Sequence, residues 1–379
     1  MISSAVKSVV GSVLILAAAS CAQHAAPTTQ PVFFPPPPAP PRLQFLTALS
    51  GSKDLEKQSS FNRFVAGENQ DQKLDKPYGV AVWDGRIYVC DTNAGVFVFD
   101  LKAKRYGPLK GSEGPGKLLQ PINVSVDQDG TKYVADPVRG QVIAFDRNDE
   151  YLKAYGTPGE WRPVDAVRFA DRLYVVDTGH HVIAVLDLAS GAQVATIGDR
   201  GEPDAKLDRP TNISLDRDGA LYVTDSGRFQ VMKFDREGRF LAAFGKAGDN
   251  LGHFARPKGT ALDRDGRLYA VDASFNNVQV FDKGGRLLMF FGDGGDAAGD
   301  FLLPAKVTID YDNASYFQQY VQPDFQVEYL VLVTSQFGPR LVNVLAYGRA
   351  KGQPYPTDEE LLKQIEERRR KELEKLSKP

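Results

Sequence analysis

From Pro77 to Tyr347, short apolar runs of four to six residues alternate with polar turns, in the manner of strands rather than a helix. The stretch 212–244 shows the unit most plainly. Asn212–Leu215 predicts a strand and Asp216-Arg217-Asp218-Gly219 a turn, followed by a second strand over Ala220–Thr224. Gln230–Phe234 predicts a third strand, Arg236-Glu237-Gly238 a turn, and Phe240–Phe244 a fourth. Asp-Gly between apolar runs marks a tight hairpin, because glycine accepts the positive φ such a turn imposes.

The unit repeats. Tyr-Val-x-Asp occurs at Tyr88–Asp91, Tyr133–Asp136, Tyr174–Asp177 and Tyr222–Asp225, with Tyr269-Ala270-Val271-Asp272 as a fifth copy. Each copy follows a proline: Pro77, Pro121, Pro163, Pro210 and Pro257. Four strands at this spacing predict one blade of a β-propeller. A sixth, degraded copy follows, with strands over Pro304–Asp310, Tyr329–Thr334 and Leu341–Tyr347, and Thr334 standing where the others have Asp. It lacks a fourth strand, and Phe45–Gly51 resembles the missing one. Joining the first strand to the last blade closes a ring and removes an exposed edge. The expected fold is all-β: a six-bladed propeller of four-stranded antiparallel blades, the N-terminal strand closing the last. Blade six inserts Tyr311 to Gln326, rich in aromatics, where other blades turn tightly; it could cover the base, seat the C-terminal helix or dock a partner.

Proline, short strand, Asp-Gly, Tyr-Val-x-Asp, Val-x-Val-Phe-Asp and a closing Phe-Gly together resemble the NHL-repeat family of propellers, over residues 42–350. The resemblance implies the fold. It does not single out a function, since that family includes protein-binding, RNA-binding, sensor and enzymatic members.

The two ends read differently. Lys7, the apolar run Val9–Ala19 and Ala18-Ala19-Ser20-Cys21 form a secretory signal ending in a lipobox-like sequence, with Cys21 as the lipidation site of residues 1–21. An apolar run of about eleven residues is too short to span a bilayer core of about 30 Å. The expected location is exported and lipid-anchored: in a Gram-negative cell, on the outer membrane facing periplasm or surface. Residues 22–41, with Pro31, Pro35–Pro38, Pro40 and Pro41, predict an extended spacer. Cys90 lies in an apolar run without a disulfide partner and is expected to be a buried thiol. Over 351–379, Thr357 with Glu360 makes a capping box, and a charged helix should follow.

A net charge of −2 argues against sequence-independent binding of nucleic acid. Neither an attached haem (no Cys-x-x-Cys-His) nor a serine-nucleophile elbow is encoded. Four histidines, two of them adjacent, do not make a three-histidine zinc site. Loops joining strands two to three, and one blade to the next, share a face that should carry Arg139, His180, His181, Arg228, Phe229, Phe275, Phe337 and Arg340, with Trp161, Arg162, Lys246 and His253. Arginine and aromatic residues are the types enriched at interface hot spots. The channel should be ringed by Gly79, Asn123, Asp165, Asn212, Gly259 and Lys306. The resemblance to lactonase-like propellers implies a divalent ion there, but three oxygen donors with a competing lysine meet a calcium shell poorly. Asp165, Asp293 and Asp296 are the weaker metal candidates, with structural Ca²⁺ a minor alternative to no cofactor.

The leading expectation is an envelope scaffold that binds a protein, peptide or glycan through its loop face rather than an enzyme. A metal-dependent hydrolase or lyase at the channel mouth, and an envelope sensor or assembly factor, are the alternatives.

Overall fold

The computed structural model describes residues 30–55, 72–199 and 203–376. Six antiparallel sheets follow one another along the chain. Blade one is Pro77–Trp83, Arg86–Asp91, Gly95–Asp100 and Arg105–Pro108; blade two is Asn123–Val126, Lys132–Asp136, Gln141–Phe145 and Tyr151–Tyr155. Blade three runs Pro163–Phe169, Arg172–Asp177, Val182–Asp187 and Gln193–Ile197. Blade four is Pro210–Leu215, Leu221–Asp225, Gln230–Phe234 and Phe240–Phe244. Blade five is Pro257–Leu262, Leu268–Asp272, Asn277–Phe281 and Leu287–Phe291. The expected six-bladed propeller is the observed fold.

The repeated Tyr-Val-x-Asp strands are the second strands, and those of blades four and five are buried at every residue. Both faces of such a strand pack on a neighbouring blade, which is why apolar residues occupy consecutive positions. Tyr269, Val271 and Val280 of blade five, for example, share one core cluster with Val307, Val331 and Val333 of blade six. Each such side chain stabilises the ring by about 1.5–3 kcal/mol through burial. Fourth strands lie outermost, and Gln193, Val194 and Ala195 in blade three are exposed.

Blade six is assembled from both ends of the chain. Pro304–Asp310, Phe325–Ser335 and Val342–Ala350 supply its inner strands. Leu43–Leu49 pairs antiparallel with the last of these, from Leu43 opposite Tyr347 to Leu49 opposite Val342, as the fourth strand. A fifth strand was not foreseen. Phe33–Phe34 pairs with Leu43 and Gln44, and the two rings lie 5.8 Å from Phe325 and 6.1 Å from Phe291. The compact unit therefore begins at Val32, so the expected spacer does not extend to Pro41. Both rings are half-buried, against Phe325 of blade six and Phe291 of blade five. The signal segment and Cys21 lie outside the described residues.

The blade-six insertion forms a short 3-10 helix, Ala314–Tyr320, with Phe317 buried in the core. Gln44 ties it down, donating to the Tyr320 carbonyl at 2.8 Å and accepting from the Gln322 amide at 3.1 Å. Of its aromatics, Tyr316 and Tyr320 remain exposed. The C-terminal helix, Asp358–Leu376, opens with the expected capping box: Thr357 N–H donates to Glu360, and Glu360 N–H to Thr357 Oγ1. Its seat is on blade five, where Arg267 grips Asp358 through two bonds of 2.9 and 3.2 Å and Leu362 is buried.

Candidate binding site at the loop face and channel mouth

The aspartate ending each second strand builds the loop face. Asp225 accepts from the amides of Asp208 and Arg209 at 2.6 and 2.9 Å, and from Gly227 and Arg228 at 3.0 and 3.1 Å. The first two amides belong to the loop entering the blade, the others to the loop between strands two and three. One buried carboxylate thus pins two loops together. Asp91, Asp136, Asp177 and Asp272 repeat the arrangement. Each aspartate thus caps two turns. In blade six Thr334 takes over differently, donating to the Tyr78 carbonyl at 2.6 Å and accepting from Lys306 N–H.

Several residues expected to face a partner are occupied within the fold. Arg139 donates to the carbonyls of Lys117 and Pro115 and to Gln141. Arg228 reaches the Pro203 and Lys206 carbonyls, with Asp204 at 3.6 Å, and Arg340 bonds the Asp296 carbonyl. All three are loop clamps. Trp161 packs where a Cβ on Gly156 would stand, 2.8 Å from its ring. Phe229 packs against the core between blades four and five. His181 (φ 62°), Phe229 (φ 56°) and Asn276 (φ 52°) share the left-handed position that Gly140 holds in blade two. His180 is held by Asp177 at 2.7 Å, and His181 by the Asp208 carbonyl. Phe275 and His253 are half-buried, whereas Arg162, Lys246 and Phe337 are exposed.

At the channel, the six predicted ring positions converge. Lys306 crosses from blade six to Asp165 of blade three, Nζ to Oδ2 2.7 Å, with both side chains buried. Asn212 and the Ile213 amide donate to the same oxygen, and Asn123 donates to the Val164 carbonyl at 2.7 Å. Glycine at the two remaining positions is a matter of space: a Cβ on Gly79 would lie 2.6 Å from Asn123 Cα, and one on Gly259 2.7 Å from Lys306 Cα. The donor set does not fit a divalent ion. Its one carboxylate is neutralised by an ammonium, leaving only the amide oxygens of Asn123 and Asn212 without protein partners. Nor, among the described residues, do any three His, Cys, Asp or Glu side chains cluster as metal ligands, at Asp293 and Asp296 included. Below the ion pair the channel holds about 320 Å³. Cys90 is fully buried, and burial pushes its thiol well up.

Above the ring lies a cavity of about 390 Å³ that the sequence reading had not assembled. Arg162, Arg209, His181, Gln120, Thr92 and Thr178 line it, over Ile122, Pro137 and Val164. Of these residues Arg162 and His181 alone had been singled out. A signal for the rest was present: the residue before the repeat proline is Lys76, Arg162, Arg209 or Arg256 in four of the six blades. In those four blades the following proline biases the residue toward an extended conformation, and Arg162 and Arg209 line the cavity.

No family model matches the chain. Among solved structures, it is similar to a Bacteroides thetaiotaomicron protein of unknown function, with TM-score 0.57 and 15% identity, covering 80% of this chain and 75% of that one. A gluconolactonase from Xanthomonas campestris gives TM-score 0.53 at 16% identity, covering 85% and 99%. A streptogramin B lyase gives 0.49 at 15% identity, covering 76% and 85%. For the first two, at these identities, the likeness is one of fold.

Proposed function

We propose that this protein is an NHL-type lipoprotein of the cell envelope, anchored through Cys21, whose propeller is a binding scaffold for an envelope protein, peptide or glycan. The observation that carries the reading is an apolar pair on a rigid floor. Leu119 and Val138 come from two different loops, and their amides are bonded to the same carboxylate, Asp136. Both side chains are more than half exposed, at 54% and 60%. Such residues on pinned loops can bury apolar surface against a partner with little loss of conformational entropy. Phe337 and Leu251 add exposed apolar surface on the same face. The hydrolase or lyase alternative would need a metal where Lys306 already neutralises Asp165, and no observation favours it.

Crosslinking in intact cells tests this reading. A defined partner should be captured by the native chain and lost from the Leu119→Ser, Val138→Ser double variant. Equal capture by that variant, or no specific partner at all, would refute it. Arg228→Ala or Trp161→Ala would be a poor probe, since both side chains hold the loops themselves.

A further inference from the structure

We propose that the cavity between blades one and four is a binding site for a small oxyanionic ligand carrying two anionic groups, carboxylate or phosphate. The cavity is lined by two guanidinium side chains, an imidazole, an amide and two hydroxyls, and by no carboxylate. Arg162 and Arg209 come from successive blades and are exposed. Their backbone amides are fixed by Asp177 and Asp225, 3.1 and 2.9 Å away. Among the described residues neither guanidinium has an ion-pair or hydrogen-bond partner, in contrast with the clamping side chains of Arg139 and Arg228. Two arginines anchored at the backbone and unengaged at the tip offer two planar donor forks, the geometry that takes carboxylate or phosphate through paired bonds.

The surroundings favour the same sign of ligand. Lys76 and Arg256 hold the equivalent place in blades one and five, and Lys258 lies over the Tyr78 ring with Nζ 3.1 Å from its hydroxyl. Among the described residues Lys76, Arg256 and Lys258 also form no ion pair, so an arc of cations borders the channel mouth. The volume suits a small molecule rather than a protein domain. Two guanidinium groups carried on pinned backbones and lining one cavity select a ligand with two anionic groups over one with a single charge.

This site goes beyond the partner-docking reading and can stand without it: it uses the arginines, not the exposed apolar pair. The test is calorimetric titration of the folded chain with pyrophosphate, succinate, inorganic phosphate and chloride. Pyrophosphate or succinate should bind at least about tenfold more tightly than chloride and more tightly than phosphate, and binding should weaken as salt rises. Arg162→Gln and Arg209→Gln should each lower that affinity about tenfold or more, the scale of a lost charge-assisted bond. Arg236→Gln, on the opposite face, should leave it unchanged, and thermal melting should show all three variants folded. Absence of dianion binding at millimolar concentration, or affinity indifferent to both arginine variants, overturns the site. Whether pyrophosphate or succinate binds more tightly tells phosphate from carboxylate chemistry. The Leu119→Ser, Val138→Ser variant should retain anion binding even though it loses partner capture.

Discussion

Lys306 is a lysine placed where its charge can be satisfied only from across the channel. Its partner Asp165 lies on the opposite blade, so the pair fastens two blades that share no sheet. Removing one member leaves the other buried without its counter-charge, which costs more than replacing both. Lys306→Met should therefore destabilise the protein by about 3–5 kcal/mol in urea unfolding, and adding Asp165→Asn should restore much of the loss. Equal stability of the single and double variants would show that the pair is not the fastening. A second lysine, Lys132, is also fully buried beside a carboxylate, 2.5 Å from Asp149, and burial is the main influence lowering the pKa of Lys132.

Between the residue and the ring stands the aspartate bracket, a device of the blade element. It explains why strand two ends in Asp in five blades, and why the loops can carry exposed side chains without collapsing. Asp225→Ala leaves four backbone amides without their carboxylate acceptor, two from each loop. A loss of about 3 kcal/mol is expected, with faster hydrogen exchange at residues 208, 209, 227 and 228. Exchange unchanged at 208 and 209 would show that the bracket does not hold the entering loop. Because Arg209 extends from that loop, anion affinity should fall in the same variant.

Across the whole molecule, nine wholly or partly buried tyrosines, among them Tyr88, Tyr133, Tyr174 and Tyr269 of the repeat, set the response to alkali. Burial is the main cause of raised pKa values at Tyr88, Tyr106, Tyr133, Tyr155, Tyr174, Tyr269, Tyr311, Tyr329 and Tyr347. The folded chain keeps these protons after the unfolded chain begins to release them near pH 10. Stability is thus fully present below about pH 10 and falls above it, by about 1.4 kcal/mol per pH unit for each tyrosine so shifted. Lys132 acts in the opposite sense, whereas the raised pKa values of Cys90 and Lys233 act with the tyrosines. Urea unfolding between pH 9 and 11 should show a steep decline; a flat profile would mean that the rings ionise without unfolding.

Blade number, blade boundaries and ring closure were legible in the chain because each depends on a local, repeated signal: Asp-Gly turns, Tyr-Val-x-Asp strands and a final strand found at the wrong end. The six channel positions followed from the same register, and with them the opposition of Asp165 and Lys306. The partners of individual side chains were not legible. Arg139, Arg162 and Arg228 are alike as loop arginines, yet two of them meet carbonyl oxygens of the preceding loop and the third meets none among the described residues. Phe33 and Phe34 sit in a proline-rich run whose composition points to an extended spacer, and only the outer edge of blade six made them a strand. Period and turn chemistry act over a few residues, so the sequence by itself determined the ring. Which side chains are spent holding it, and which are left facing a ligand, depends on distances between segments far apart in the chain, and that the tertiary structure decided.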